Sequence, residues 1–295
     1  MDSTHTFIGF GEAGIAFATG AAARGYDRKT DDPATRAAKL ADFARHGVSA
    51  CDTAAAALSG THAILSLVTA DQALIAASTN APHLKAGALW LDLNSVAPDT
   101  KRAAAAHVVA AGGRYVDVAV MAPVHPAGLD VPVLLSGTDA EAGMATLTAI
   151  GFTDARIVSG GIGAASSIKM IRSVMVKGLE ALTTECFLAA DAAGVAEEVL
   201  SSLNSSWPGT DWADKADYNL ERMMLHGLRR AAEMEEVVKT LDALGTGSAM
   251  TRGTVERQRA IGMLGLKPGR RLNDKIDALL PRRQDILQQK RDWAA

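Results

Sequence analysis

A glycine-punctuated turn near the N-terminus constrains this chain more than any other stretch. Within the stretch Thr4 to Ala18, a short apolar segment leads into Gly9-Phe10-Gly11-Glu12-Ala13-Gly14, and an Ala-rich, helix-forming segment comes next. G-x-G-x-x-G between a strand and a helix has a mechanical reading. Gly9 turns the chain sharply out of the strand, Gly11 lets a pyrophosphate approach the backbone, and Gly14 lets the helix pack closely. The unpaired N–H groups and the dipole at the helix start favour the phosphate charge. Gly9, Phe10, Gly11, Glu12, Ala13 and Gly14 are therefore the candidate dinucleotide-binding turn. A chain that opens this way is expected to wind helices around a parallel sheet.

The segment after the first helix is less regular. In a dinucleotide fold the second strand ends in an acidic residue about 20 positions beyond the glycines. The candidate here is Asp27, only thirteen residues after Gly14, in the stretch Ala23-Arg24-Gly25-Tyr26-Asp27-Arg28-Lys29. That stretch has almost no apolar body, so the second strand is expected to be short or missing. Asp27 would accept from a ribose 2′-OH and favour NAD. Arg28 and Lys29 would instead hold the 2′-phosphate of NADP, and a solvated charged turn is the third reading.

Downstream the alternation is clear. Residues 34–46 read as an amphipathic helix and Val48 to Cys51 as a weak strand. His62 to Val68 and Ala88 to Leu93 are near-continuous apolar runs, as buried parallel strands should be. Tyr115 to Val120, Val131 to Ser136 and Ala155 to Val158 are further strands. Helices are expected over 71–81, 99–111 and 139–150. The N-terminal half is thus an α/β, doubly wound, mostly parallel sheet.

At Gly160-Gly161-Ile162-Gly163 the pattern changes. From Ala164 to Ala193 there is no proline and one glycine, and Ile168, Ile171, Met175, Leu179 and Leu182 recur at helical spacing. One long helix of about 45 Å is expected, with a second copy of the chain as its natural partner. Residues 195–205, 211–225, 227–244, 248–263 and 273–291 read as further helices. The organisation is a dinucleotide-binding domain over 1–160 and an all-α domain over 161–295.

Composition excludes several classes. A net charge of −3 offers no basic surface for nucleic acid. No apolar run is long enough to span a membrane, and the N-terminus lacks the regions of a signal peptide. Cys51 and Cys186 lie far apart, without metal-ligand spacing, and fit a reduced, cytoplasmic protein. Cys186 reads as a buried helix residue.

Open α/β sheets bind ligands at the carboxyl ends of their strands. Those ends offer Thr69, Asn94 and Ser95, with His125 one loop further on. The long helix carries Ser166, Ser167, Lys169, Arg172 and Ser173 in its first turns. Lys169 lies three residues from Arg172 and four from Ser173, so the three share a face that suits an anionic substrate. Lys169 is either an exposed helix lysine or the group that moves a proton at the substrate oxygen. His226 is either a helix residue or a substrate contact.

Four stretches carry a resemblance: G-F-G-E-A-G, D-L-N-S-V-A-P over 92–98, Y-V-D-V-A-V-M-A-P over 115–123, and S-I-K-M-I-R-S over 167–173. Together they resemble the β-hydroxyacid dehydrogenase superfamily, which includes 3-hydroxyisobutyrate and 6-phosphogluconate dehydrogenases. H-G-L-R-R-A-A-E-M-E-E-V over 226–237 resembles the branch whose C-terminal domain is DUF1932. The resemblance implies that Lys169 is the general acid/base, that Ser95 meets nicotinamide and substrate, and that Thr69 lies in the loop covering the cofactor. It implies an NAD- or NADP-dependent oxidoreductase of a small hydroxy acid or related alcohol. The alternatives are an imine reductase-like enzyme, which generally lacks the lysine, and a non-catalytic dinucleotide-binding protein. Two places depart from the family pattern. Met121-Ala122-Pro123 stands where the hydroxyacid enzymes have S-G-G, and Arg172 and Ser173 stand where they have Asn.

Overall fold

The computed structural model of the protein describes residues 5–18 and 23–280. The chain divides into two compact units, Met1–Ile171 and Arg172–Ala295.

The first unit is an α/β sheet with helices on both faces. Its strands are β1 (His5–Ile8), β2 (Ala23–Tyr26), β3 (Val48–Ala50), β4 (Ala63–Ser66), β5 (Leu89–Asp92), β6 (Arg114–Val120), β7 (Val133–Ser136) and β8 (Ala155–Ile157). They lie in the order β3-β2-β1-β4-β5-β6-β7-β8. β1 to β6 are parallel, and the direction reverses only where β6 meets β7. The order turns back on itself between β1 and β4, the switch point at which such sheets open a crevice for ligands.

Alternation along each strand feeds two separate cores. Phe7, Leu65, Leu91 and Val116 face one way, against Phe17 of α1 (Glu12–Phe17), Phe43 of α2 (Pro33–Arg45) and, beyond the sheet's reversal, Leu147 of α6 (Ala140–Ile150). Ile8, Ile64, Trp90 and Tyr115 face the other way. They pack on Leu58 of α3 (Ala54–Leu58), Ala77 of α4 (Ala73–Asn80) and Val108 of α5 (Pro98–Ala110). Burial on both faces explains why these strands read as unbroken apolar runs.

β2 forms, and it is short. Its register runs His5↔Ala23 to Ile8↔Tyr26 against β1, with β3 on its other side. Its weak sequence signal has two causes. A Cβ on Gly25 would come within 2.9 Å of the Phe43 ring, so the aromatic of α2 supplies the packing that a larger strand residue would have given. Arg24 lies in the strand because Thr61 Oγ1 accepts its guanidinium at 2.7 Å and the Ser59 carbonyl accepts it as well. The short helix α3, unexpected from the sequence, begins on a Thr53 cap that accepts from Ala56 N at 3.1 Å.

The long helix α7 (Ala164–Ala193) spans 30 residues, and the division between the units falls within it. The second unit continues with α8 (Ala196–Ser206), α9 (Trp212–Ala243), α10 (Ala249–Met263) and α11 (Leu272–Leu279). Two helices expected over 211–225 and 227–244 are one helix of 32 residues. Gly227 does not end it. A Cβ there would lie 2.4 Å from the Gln258 carbonyl oxygen and 2.9 Å from Gly262 Cα, so Gly227 and Gly262 allow α9 and α10 to cross backbone to backbone. The part of the last expected helix beyond residue 280 lies outside the described residues.

Candidate active site at the strand ends

The glycine turn is held from several sides. Gly9 has φ of +86°, and a Cβ there would lie 2.4 Å from the Leu67 carbonyl oxygen, so only glycine fits. Its N–H donates to the Tyr26 carbonyl at 2.9 Å. The Phe10 N–H donates to Asp27 Oδ2 at 2.8 Å, and the Phe10 carbonyl accepts from Lys39 Nζ at 2.8 Å. The Phe10 ring stacks on Phe43 with centroids 4.3 Å apart. Gly14 packs on that same ring: a Cβ there would lie 3.0 Å from Phe10 Cδ2. Gly11 differs from these. It is exposed, and a Cβ would meet nothing within 4 Å. The turn is thus rigid on its protein side and open at Gly11, beside exposed Glu12 and half-buried Ala13. This is the cradle a pyrophosphate requires, so the residues present fit a dinucleotide.

Asp27 directly follows β2, and while its Oδ2 holds the Phe10 N–H, its Oδ1 accepts from Lys29 N at 2.9 Å. Arg28 and Lys29 are exposed. Arg28 Nη1 donates to Gln72 Oε1 at 2.5 Å, tying the β2 loop to the loop after β4. Tyr26 donates to Asp31, and burial together with that carboxylate pushes its phenol up to about 12. Thr69 is exposed at the start of the turn Ala70–Gln72. A hydrogen bond from Thr69, with a second from Gln72, holds the Asp71 carboxyl below its usual range.

Asn94 and Ser95 come directly after β5. Asn94 Oδ1 accepts from Val68 N at 2.7 Å, and its Nδ2 donates to Ser66 Oγ at 3.0 Å. Its carboxamide therefore joins the ends of β4 and β5. Among the described residues Ser95 Oγ is buried with no hydrogen-bond partner. A buried hydroxyl left unpaired is costly, and a ligand at these loops would satisfy it.

Three ionisable groups to which the sequence assigned no role lie just beneath, two of them, Asp92 and Asp117, within the stretches that carry the resemblance. Asp92 of β5, Lys101 of α5 and Asp117 of β6 are fully buried. Lys101 Nζ donates to Asp92 Oδ1 at 2.9 Å and to the Asp92 carbonyl at 2.5 Å, and it lies 3.4 Å from Asp117 Oδ1. Tyr115 donates to Asp92 Oδ2 at 2.6 Å, and burial beside that carboxylate holds its phenol well above the ordinary value. Asp117 Oδ2 accepts from Gly163 N at 3.1 Å, Ser166 N at 3.0 Å and Ser166 Oγ at 3.1 Å. The carboxylate caps the start of α7. The signal was present in the sequence as an aspartate inside each of two otherwise apolar strands.

Lys169 is half-buried on α7, one turn beyond Ser166. Met121 packs against the small apolar cluster of Ala119, Leu134 and Ala165, while Ala122, Pro123 and His125 are exposed. Arg172, exposed, and Ser173, buried, come after Lys169 on the same helix within the second unit, and half-buried His226 lies on α9. The first unit thus brings together the glycine turn, Asp27, Thr69, Asn94 and Ser95 at its strand ends. Cys186 is half-buried on α7. Among the described residues no cluster could hold a metal ion, and no helix is long and apolar enough to cross a membrane.

A doubly wound sheet with an open glycine cradle, continued by a helical unit entered through one long helix, defines an NAD-binding oxidoreductase fold. Residues 4–155 match the family described as the NAD binding domain of 6-phosphogluconate dehydrogenase, and residues 190–261 match the domain of unknown function DUF1932. The chain belongs to this 6-phosphogluconate dehydrogenase-like family, in the DUF1932 branch of the β-hydroxyacid dehydrogenase superfamily. It is similar to a conserved hypothetical protein from Sinorhizobium meliloti, with 39% identity over 95% of this chain and 96% of that one, at a TM-score of 0.72. A conserved protein of unknown function, whose structure is described as similar to 3-hydroxyacid dehydrogenases, is 29% identical over 88% of this chain and 98% of that one, at a TM-score of 0.66. The Mycobacterium tuberculosis 3-hydroxyisobutyrate dehydrogenase, solved with L-serine, shares the fold at 16% identity over 95% of this chain and all of that one, with a TM-score of 0.72. An uncharacterized protein of Methanothermus fervidus is 26% identical over 176 residues, and the match spans 66% of its length.

Proposed function

We propose that the protein is an NAD- or NADP-dependent oxidoreductase that interconverts a small, anionic hydroxy acid and its carbonyl, with Lys169 as general acid/base. The observation that carries this reading is Lys169 on the helix whose first turn is capped by the same buried cluster that shapes the strand-end loops. When bound, the nicotinamide supplies hydride transfer; the chain's own residues bind, orient and move the proton. Gly9 to Gly14 hold the pyrophosphate, with Asp27 or Arg28 and Lys29 facing the adenine ribose. Thr69 and Asn94 shape the loops that cover the cofactor. Ser95 donates its orphan hydroxyl to nicotinamide or substrate. Lys169 takes the hydroxyl proton on oxidation and returns it on reduction. Arg172 and Ser173 share a helix face with Lys169 and supply a cation and a hydroxyl for a carboxylate or phosphate, with Met121, Ala122, Pro123 and His226 as further substrate contacts. The functional boundary is placed at residue 160, with the all-helical part serving substrate binding.

Imine reduction is the competing chemistry, and the lysine at position 169 weighs against it. A panel of small hydroxy acids with NAD and NADP, run beside cyclic imines with NADPH, separates the two. Turnover of imines alone would remove the proposed role of Lys169. We further propose a homodimer in the cytoplasm. Ile168, Ile171, Met175 and Leu182 stand exposed along one stripe of α7, which favours a second copy as the partner. Light scattering that returns a monomer would dispose of it.

A further inference from the structure

The buried triad of Asp92, Lys101 and Asp117 holds two carboxylates and one ammonium, all fully excluded from solvent. One negative charge is left over, and it sits at the start of a 30-residue helix, where the dipole is positive. Buried ion clusters add little to stability, because desolvation offsets their attraction, and apolar side chains of the same volume serve as well. What such a cluster does well is fix geometry, since every member is held by several directional bonds.

Two loops and the start of α7 are referenced to this one ammonium. Through Asp117 it holds α7. Besides the two amides bound directly, Ala165 N donates to Ser136 Oγ at 3.0 Å, and Ser136 Oγ donates to Asp117 Oδ2 at 3.1 Å. Through Asp92 it holds the loop after β5, because Asp92 Oδ1 accepts from Asn94 N at 2.9 Å. Through Asn94 it reaches Val68 N and the loop after β4. Lys169 lies three residues beyond Ser166, on the same helix face about 4.5 Å further along. A slide or rotation of the capped first turn is therefore carried directly to the Lys169 side chain.

We propose that Asp117, oriented by Lys101, is the positioning residue that sets Lys169 against the loops at the ends of β4 and β5. The proposal rests on Lys169 as the acid/base. Asp117→Asn keeps the size but loses the charge. Its amide cannot serve both the α7 amides as acceptor and the Lys101 ammonium as counter-ion, so the helix start shifts.

The test measures Asp117→Asn, Lys169→Ala and a core control, Leu147→Ala in α6, on the full chain with the best hydroxy acid of the panel. Asp117→Asn is expected to lower kcat about 10- to 100-fold while the cofactor KM stays within about twofold, the scale set by small misplacements. Leu147→Ala is expected to lower Tm and leave kcat unchanged. Hydrogen exchange over residues 163–172 gives a substrate-free arm, about 10-fold faster in Asp117→Asn and unchanged in Leu147→Ala, as local opening of a capped turn requires. If Asp117→Asn does not fold, Ser166→Ala and Ser136→Ala each remove one donor from the same carboxylate. A several-fold loss of kcat at constant cofactor KM supports the role, and unchanged kcat in both overturns it. Unchanged kcat or unchanged exchange in folded Asp117→Asn also overturns it. If Lys169→Ala retains turnover, the acid/base reading fails and the positioning role falls with it. If Lys169→Ala is inactive while Asp117→Asn keeps full kcat, only the positioning role is lost.

Discussion

The two units bury their charges in different places. In the sheet unit Asp92, Lys101 and Asp117 cluster where β5 ends, bonded to the loop that carries Asn94 and Ser95 and to the start of α7. In the helical unit the charges lie mid-helix. Arg230 of α9 forks onto Glu180 of α7, with Nε to Oε2 at 2.8 Å, and Gln258 of α10 adds a bond to Oε2 at 2.9 Å. Lys177 pairs with Glu233 at 2.6 Å on the same two helices. The first arrangement orients loops and the second fixes the register between helices. One sequence therefore uses buried ion pairs to orient loops in one unit and to pack helices in the other.

Substitutions can break that contrast. The largest effect is expected from Lys169→Ala, a loss of kcat of about 10²- to 10⁴-fold with cofactor affinity unchanged; steady-state kinetics with a separate cofactor titration checks it. Next comes Arg230→Met, which leaves Glu180 buried without its cation and should cost about 3–5 kcal/mol in urea unfolding. The double variant Glu180→Met with Arg230→Met should recover most of that loss. If Arg230→Met instead lowers kcat at constant stability, the division between the units is wrong. Gly227→Ala forces a methyl group into the α9–α10 crossing and is expected to cost about 1–3 kcal/mol by the same measurement.

The smallest effect concerns pH. The Tyr26 phenol stands near 12 in the folded protein against an ordinary value of 10.0. A raised value means that the folded state keeps the proton longer. The stabilisation is therefore full below pH 10 and is lost as pH rises towards 12. Tyr26→Phe should flatten that part of the stability curve. An unchanged slope would show that the Tyr26–Asp31 contact does not form.

Much of the sheet unit was legible because its signals are local. Gly9 must adopt positive φ, the strands are buried on both faces, and α7 begins after Gly163 and ends at Ala193, where expected. The features that stayed hidden depend on partners far along the chain. β2 looks too polar until Phe43 fills the space over Gly25 and Thr61 accepts from Arg24. α9 reads as two helices broken near His226 until Gly262 arrives opposite Gly227. At the site, the glycine turn announced itself, whereas nothing in the sequence marked Lys101. Its meaning comes from Asp92 and Asp117, which pairing of β5 with β6 sets side by side.

The central claim, a dinucleotide cradled at the glycine turn, is tested most directly by thermal-shift titration of the wild type and Gly11→Val with NAD, NADH, NADP and NADPH. Gly11 has φ of −92° and nothing within 4 Å of its missing Cβ, so the variant should melt where the wild type does. At 100 times its Kd a cofactor should stabilise the wild type by about 2.7 kcal/mol, a rise in Tm of roughly 5 °C. Gly11→Val should show no rise. A wild type that no cofactor stabilises, or a variant stabilised equally, would contradict the account.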